Sequence, residues 1–229
     1  MKKQDLILIG FCLLLFLPFI LSSALYNGYI TFNARHGMTM AALKFGILST
    51  LGEVIGLRIR TGCYNLKGFG ILPRTLVWAV LGMWINMSFK IFGAGAPLFA
   101  EYLGISGTAT AMLGSFSLLK LVGALFISTS LNITFAPVFM TLHKVIDAHI
   151  VNNGGTFRGF FRPIRFASIL QSLNWDIQWS FVFKKTIPFF WIPAHTVTFL
   201  LPTDFQILVA ALLGVALGIL LAIASQKGK

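Results

Sequence analysis

Inside the long apolar runs of this chain, the residues able to do chemistry are few: Glu53, Lys120, Asn132 and His195. Glu53 shares a helical face with Ala42, Gly46, Ser49 and Gly56, which recur at three- and four-residue steps. An intramembrane carboxylate costs about 2.5 to 3.5 kcal/mol on insertion scales, so it demands a partner or a water-filled cleft. Arg60 and Arg74 are candidate partners for a structural ion pair; the alternative is a pathway or binding role. Lys120, Ala124, Ser128 and Asn132 step by four and would turn a polar stripe toward the interior, as a hydrated path requires. The competing reading has Ser128 and Asn132 bonding to neighbouring helices while Lys120 snorkels outward. His195 sits among Pro188, Pro193 and Pro202, which free backbone carbonyls; it is either a titrating gate or a buried, hydrogen-bonded histidine.

Other chemistry is not indicated. His143, Asp147 and His149 are close in sequence, but three ligands at this spacing do not share a helix face and no fourth is apparent, so no metal is expected. Cys12 and Cys63 form no disulfide framework. With no phosphate loop, nucleophile elbow or paired catalytic carboxylates, no cofactor is expected and no catalytic residues are assigned.

The elements that position these groups follow from composition. Of 229 residues, 57% are hydrophobic and 10% charged, which exceeds what one small core hides, so the surplus must face lipid. Six stretches approach spanning length: 6–26, 39–59, 71–92, 118–141, 180–201 and 205–224. Lipid leaves no water to satisfy the backbone, so these are helices, and the alternating strands of a barrel are missing. The expectation is an all-α, polytopic transmembrane helix bundle of about six spans, with residues 1–229 forming a single integral membrane domain. The start also fits a cleavable signal peptide, although its apolar run is long enough to span.

The net charge of +12 comes from basic residues that flank the apolar runs, so they read as topology signals and no nucleic-acid partner is expected. Lys2, Lys3, Arg58, Arg60, Lys67, Arg74, Lys144, Arg158, Arg162, Arg165, Lys184, Lys185, Lys227 and Lys229 all fall on one side of a six-span arrangement. Segment 93–117 holds no basic residue and one acid, Glu101. This alternation puts both termini in the cytoplasm and suits a bacterial cytoplasmic (inner) membrane. Segment 93–117, with Gly93, Gly95 and Pro97, is expected to be a flexible, apolar link. Residues 143–179 form the longest cytoplasmic linker and mix aromatics with Arg158, Arg162 and Arg165. The linker is expected to lie in the interface, its arginines on anionic lipid headgroups of the bilayer, or to cap the helix ends. Gly52 with Gly56, and Gly214 with Gly218, are small-residue stripes for close helix packing; a homo-oligomer is left open.

Residues 190–206 resemble the C-terminal signature of the peroxisomal membrane protein twenty-two / Mpv seventeen family, roughly W-P-x-x-Q-x-x-N-F-x-x-V-P-x-x-x-R. Trp191 and Phe199 keep its spacing, and Gln206 stands four residues after Pro202, as the family arginine does. His195, Thr198 and Gln206 replace the family Gln, Asn and Arg, and both prolines are displaced by one. Gly46 through Glu53 is similar to the family's Gly…Gly-Asp, and Asn132 with Phe135-Ala-Pro137 to its D-Q-x-x-F-A-P, with Leu131 at the acid position. The family's Gly-Pro…His-x-Trp-Tyr block is missing from 71–92. The resemblance implies a small pore-like or channel-modulating protein. The functional expectation is therefore a multi-pass membrane protein with a channel-like or transport-related role. The alternatives are a membrane enzyme on lipid substrates, which would need an acid, base or metal cluster near one interface, or an accessory or scaffold subunit.

Overall fold

The computed structural model describes residues 3–227; Lys2 and Lys229 lie outside them. Helix makes up 85% of the chain, and no strand occurs among the described residues. In order these are α1 (Lys3–Leu21), α2 (Ser23–Arg35), α3 (Gly37–Thr61), α4 (Ile71–Tyr102), α5 (Thr108–Leu113), α6 (Leu118–Thr134) and α7 (Ala136–Asn152). Three short helices follow, α8 (Phe157–Phe160), α9 (Phe166–Ser172) and α10 (Trp175–Ile177), then a π-helix (Gln178–Trp191), α11 (Ile192–Leu200) and α12 (Thr203–Lys227).

α1, α3, α4 and α12 are long and apolar enough to cross a membrane. α6 and α7, bent by 44° at Phe135, make a fifth if they count as one span. The expected stretch 180–201 is not one regular α-helix: Gln178–Trp191 is wound one residue wider per bond, as in the Ile192 N–H that donates to the Ile187 carbonyl, and only α11 is α-helical. The first apolar run is also divided. Ser22 caps α2, its Oγ accepting from the Leu25 N–H at 3.3 Å, so α1 ends at Leu21.

Residues 93–102 correct an expectation. Instead of a flexible link, they continue α4 to a length of 32 residues, about 48 Å at ~1.5 Å per residue. Ala96, Pro97 and Ala100 are buried there, and packing against α5 and α6 overrides the weak helix propensity of Gly93, Gly95 and Pro97.

Small residues set the closest approaches. A Cβ on Gly82 would meet the Ala41 carbonyl at 2.6 Å, and one on Gly46 the Thr75 carbonyl at 3.3 Å, so α3 and α4 pack antiparallel through glycine. α12 lies parallel to α3: a Cβ on Gly52 would stand 2.9 Å from Val215 Cα, one on Gly56 3.7 Å from the Gly218 carbonyl, and one on Gly214 4.0 Å from Ser49 Oγ. The core gathers Phe45, Ile85, Phe89, Leu131, Phe199 and Ile207 among α3, α4, α6, α11 and α12. No residue of α1 is buried, and its Leu14 and Ile20 are both 77% exposed, as a lipid-facing helix requires. Asp5 near the start of α1 pairs with Arg58 near the end of α3 at 3.0 Å. Arg58, Arg74 and Lys144 thus mark a basic end of the molecule, opposite a far end where Asn33 of α2 donates to Asp204 of α12 at 3.1 Å.

Candidate functional site

Glu53 occupies the centre of a charged cluster at the basic end. Its Oε2 accepts from Arg74 Nη1 at 2.5 Å and its Oε1 from Trp78 Nε1 at 2.9 Å, with His143 Nε2 3.4 Å from the same Oε1. The same Arg74 nitrogen pairs with Asp147, so one guanidinium joins two carboxylates. Arg74 is itself held by its Nε, which donates to the Phe69 carbonyl at 2.7 Å, and by the Phe69 ring, 4.4 Å below the guanidinium. Of the two expected partners, Arg74 is the one used; Arg60 is not paired with Glu53.

These groups line a cavity of about 590 Å³. On α3 its wall runs from Phe45 to Arg60, a rise of roughly 22 Å. The remaining walls are α4, α6 with α7, the π-helix with α11, and α12. Asn132 and His195 line it too, and are both buried. Asn132 Nδ2 donates to the Ser128 carbonyl at 2.8 Å and lies 3.1 Å from His195 Nδ1, while Ser128 Oγ donates to the Ile192 carbonyl at 2.7 Å. Ser128 thus bonds across to a carbonyl in the first turn of α11, which Thr196 Oγ1 also reaches at 2.7 Å.

Lys120 does not join them. Its Nζ donates to the Gly114 carbonyl at 2.6 Å, near the start of α6, away from the cavity. The expected interior stripe accordingly shortens to Ala124, Ser128 and Asn132, because the first turn of α6 lies beyond the buried core. His149 also turns away, its Nε2 3.0 Å from the Phe160 carbonyl and its Nδ1 3.2 Å from Asn153 Nδ2. His143 and Asp147, one turn apart on α7, instead meet Glu53 across the cavity. One donor atom from each lies within 4.8 Å of the others, a set that could hold a metal ion at the place where Arg74 now stands.

A second polar cluster lies at the far end. Lys44 of α3 is buried and donates to Asn33 Oδ1 at 2.6 Å, and Asn33 in turn donates to Asp204 Oδ1. Lys44 Nζ also stands 5.1 Å from the centre of the Tyr29 ring. Burial, and then the Asp204 carboxylate, push the Tyr29 phenol above its ordinary pKa. Beside this cluster a cavity of about 470 Å³ is lined by Asn33, Asn86, Lys90 and Asp204. Sequence reasoning passed over Lys44 and Asp204. The signal was present, since a lysine within a spanning stretch is a site candidate in its own right. Trp78, which spacing alone does not single out, is a donor to Glu53.

The two cavities approach each other back to back. On α4, Ile85 and Phe89 line the basic-end cavity, while Asn86 and Lys90 line the far one. On α12, Ala210 and Ile207, one turn apart, do the same. Ile85, Phe89, Ile207 and Ala210 belong to one apolar cluster with Phe199, in which Phe89 packs on Phe199 with ring centres 4.7 Å apart; Phe89 also packs on His195 at 5.5 Å.

No family model, curated protein or solved structure matches the chain. Several apolar helices of spanning length define it as compatible with an integral membrane protein, and the polar groups described above are where its chemistry must be sought.

Proposed function

We propose that this protein is a channel-like or transport-related integral membrane protein in which the two cavities are halves of one path, closed here by the Phe89–Phe199 septum. The observation that carries this is the back-to-back approach of two cavities, each with a polar cluster on its wall, within about one helical turn of each other. A hydrophobic constriction of that kind gates by excluding water. The Glu53–Arg74–Asp147 cluster and the Lys44–Asn33–Asp204 cluster stand at the two approaches to it.

The same reading takes α1, α3, α4, α6 with α7, the π-helix with α11, and α12 as six crossings of a transmembrane bundle. The pairing of Asp5 with Arg58 and the parallel packing of α12 on α3 support this order. The basic end is then cytoplasmic, with both termini inside, as in a bacterial inner membrane. The resemblance to the peroxisomal membrane protein twenty-two / Mpv seventeen family belongs to this proposal. Glu53, Asn132 and Trp191, which help to carry it, line one cavity together with His195 at the position of the family Gln. Arg158, Arg162 and Arg165 are exposed beside the exposed Phe157, Phe161 and Phe166, which supports their contact with anionic headgroups.

A membrane enzyme on lipid substrates is the second reading, favoured by the gathering of Glu53, His143 and Asp147 at one end of the cavity. Solute efflux from liposomes carrying purified protein separates the two. Phe89→Ala, which removes the septum's central ring, should raise efflux above wild type, whereas Phe99→Ala on the exposed part of α4 should not. If neither wild type nor Phe89→Ala releases any small solute, the path reading fails.

A further inference from the structure

The charged groups of the basic-end cavity gather near its mouth. The rest of its lining is mostly apolar and aromatic, with Phe45, Phe135, Phe139, Met140, Val182 and Leu217 beside the buried polar pair Asn132 and His195. At about 590 Å³ it falls within the size of small-molecule sites, which run roughly 300 to 1,000 Å³. It also has a side gap. α12 and the π-helix both line it yet scarcely touch each other, and Leu221 on one and Phe181 on the other are each about 40% exposed along that gap.

The charges at the mouth are unequal in their commitments. Arg74 is engaged by both Glu53 and Asp147. Among the described residues Arg60 and Lys144, which also line the cavity and are exposed, have no acidic partner. Two uncommitted cations at the rim of a long apolar chamber that opens sideways complement a molecule with one anionic head and one apolar chain.

We propose that the cavity binds a single-chain anionic amphiphile, its chain between α12 and the π-helix and its carboxylate or phosphate head on Arg60 and Lys144. This names a ligand class for the chamber and rests on the proposed path only in taking that chamber as the place where cargo sits. The chain enters from the membrane through the side gap, so the head never crosses the apolar interior. A bare anion meets the same two cations but gains nothing from the apolar lining, so it should bind here more weakly than the amphiphile.

Protein in phosphatidylcholine nanodiscs, probed with a brominated stearate that quenches Trp78 and Trp191 from within the cavity, supplies the test. Oleate should compete for the saturable part of the quenching about tenfold better than methyl oleate or oleylamine, as two exposed ion pairs of up to about 1 kcal/mol each imply. Arg60→Gln with Lys144→Gln should abolish that preference; both residues are exposed, so folding is spared. Val182→Phe, which narrows the chamber without adding a fluorophore that the readout would report, should remove the saturable part itself. Equal competition by methyl oleate, equal competition by inorganic phosphate, or a preference that survives either variant overturns the proposal. Oleate selectivity without liposome efflux would discard the path and keep the site; efflux without oleate selectivity would do the reverse.

Discussion

Removing Arg74 should harm this protein more than removing Glu53, although the two are partners in one ion pair. The Arg74 side chain is 7% exposed, Glu53 19% and Asp147 27%. Arg74→Gln leaves two carboxylates facing each other around His143, and breaking a buried pair from one side costs about 3 to 5 kcal/mol. Glu53→Gln leaves Arg74 its bond to Asp147 and keeps an oxygen to accept from Trp78. The loss is then one charged hydrogen bond in a half-buried setting, about 1 to 2 kcal/mol. The double variant retains a single, partly exposed carboxylate, so its cost should fall short of the sum by about 1 to 3 kcal/mol. Denaturant unfolding of the four proteins in one detergent gives all the required differences. Glu53→Gln as damaging as Arg74→Gln, or costs that add within about 0.3 kcal/mol, would refute the shared cluster and place the two side chains in independent, solvated surroundings.

Packing gives the next expectation. Gly52→Ala puts a methyl 2.9 Å from the Val215 backbone, which cannot swing aside, and should cost about 1 to 3 kcal/mol, while Ala216→Leu on the exposed face of α12 should stay within about 0.5 kcal/mol. Gly218→Leu should likewise be worse than Ala216→Leu; thermal unfolding ranks all three. For topology, cysteines replacing Glu101 and Arg162 should be labelled by an impermeant reagent from opposite sides of the membrane, and labelling of both from one side would reject six crossings together with the positive-inside argument.

Much of this architecture was legible in the chain. Apolar length fixes helices wherever water is absent, and the stripes of Gly52 with Gly56 and Gly214 with Gly218 announced close approach before any partner was visible. Periodicity, however, states which residues share a face and not what that face meets. That Glu53 joins His143 and Asp147, about 90 residues away in sequence, depends on how α3, α4 and α7 are rotated about their axes. The same rotation decided that Arg74 and not Arg60 completes the pair. Lys120 shows the opposite failure: its spacing put it in register with Asn132, but the first turn of α6 rises past the core, so the stripe ends before it reaches the lysine. The bend at Phe135 and the widened π-helix were likewise invisible to hydropathy, because each arises where helices compete for packing and proline has loosened the backbone ladder. The all-helical class and most of the long apolar helices were thus determined by the sequence alone. The cavities, the Phe89–Phe199 contact and the identity of every partner across 20 residues or more were decided by helix packing, since only contact between distant faces can say which polar group satisfies which.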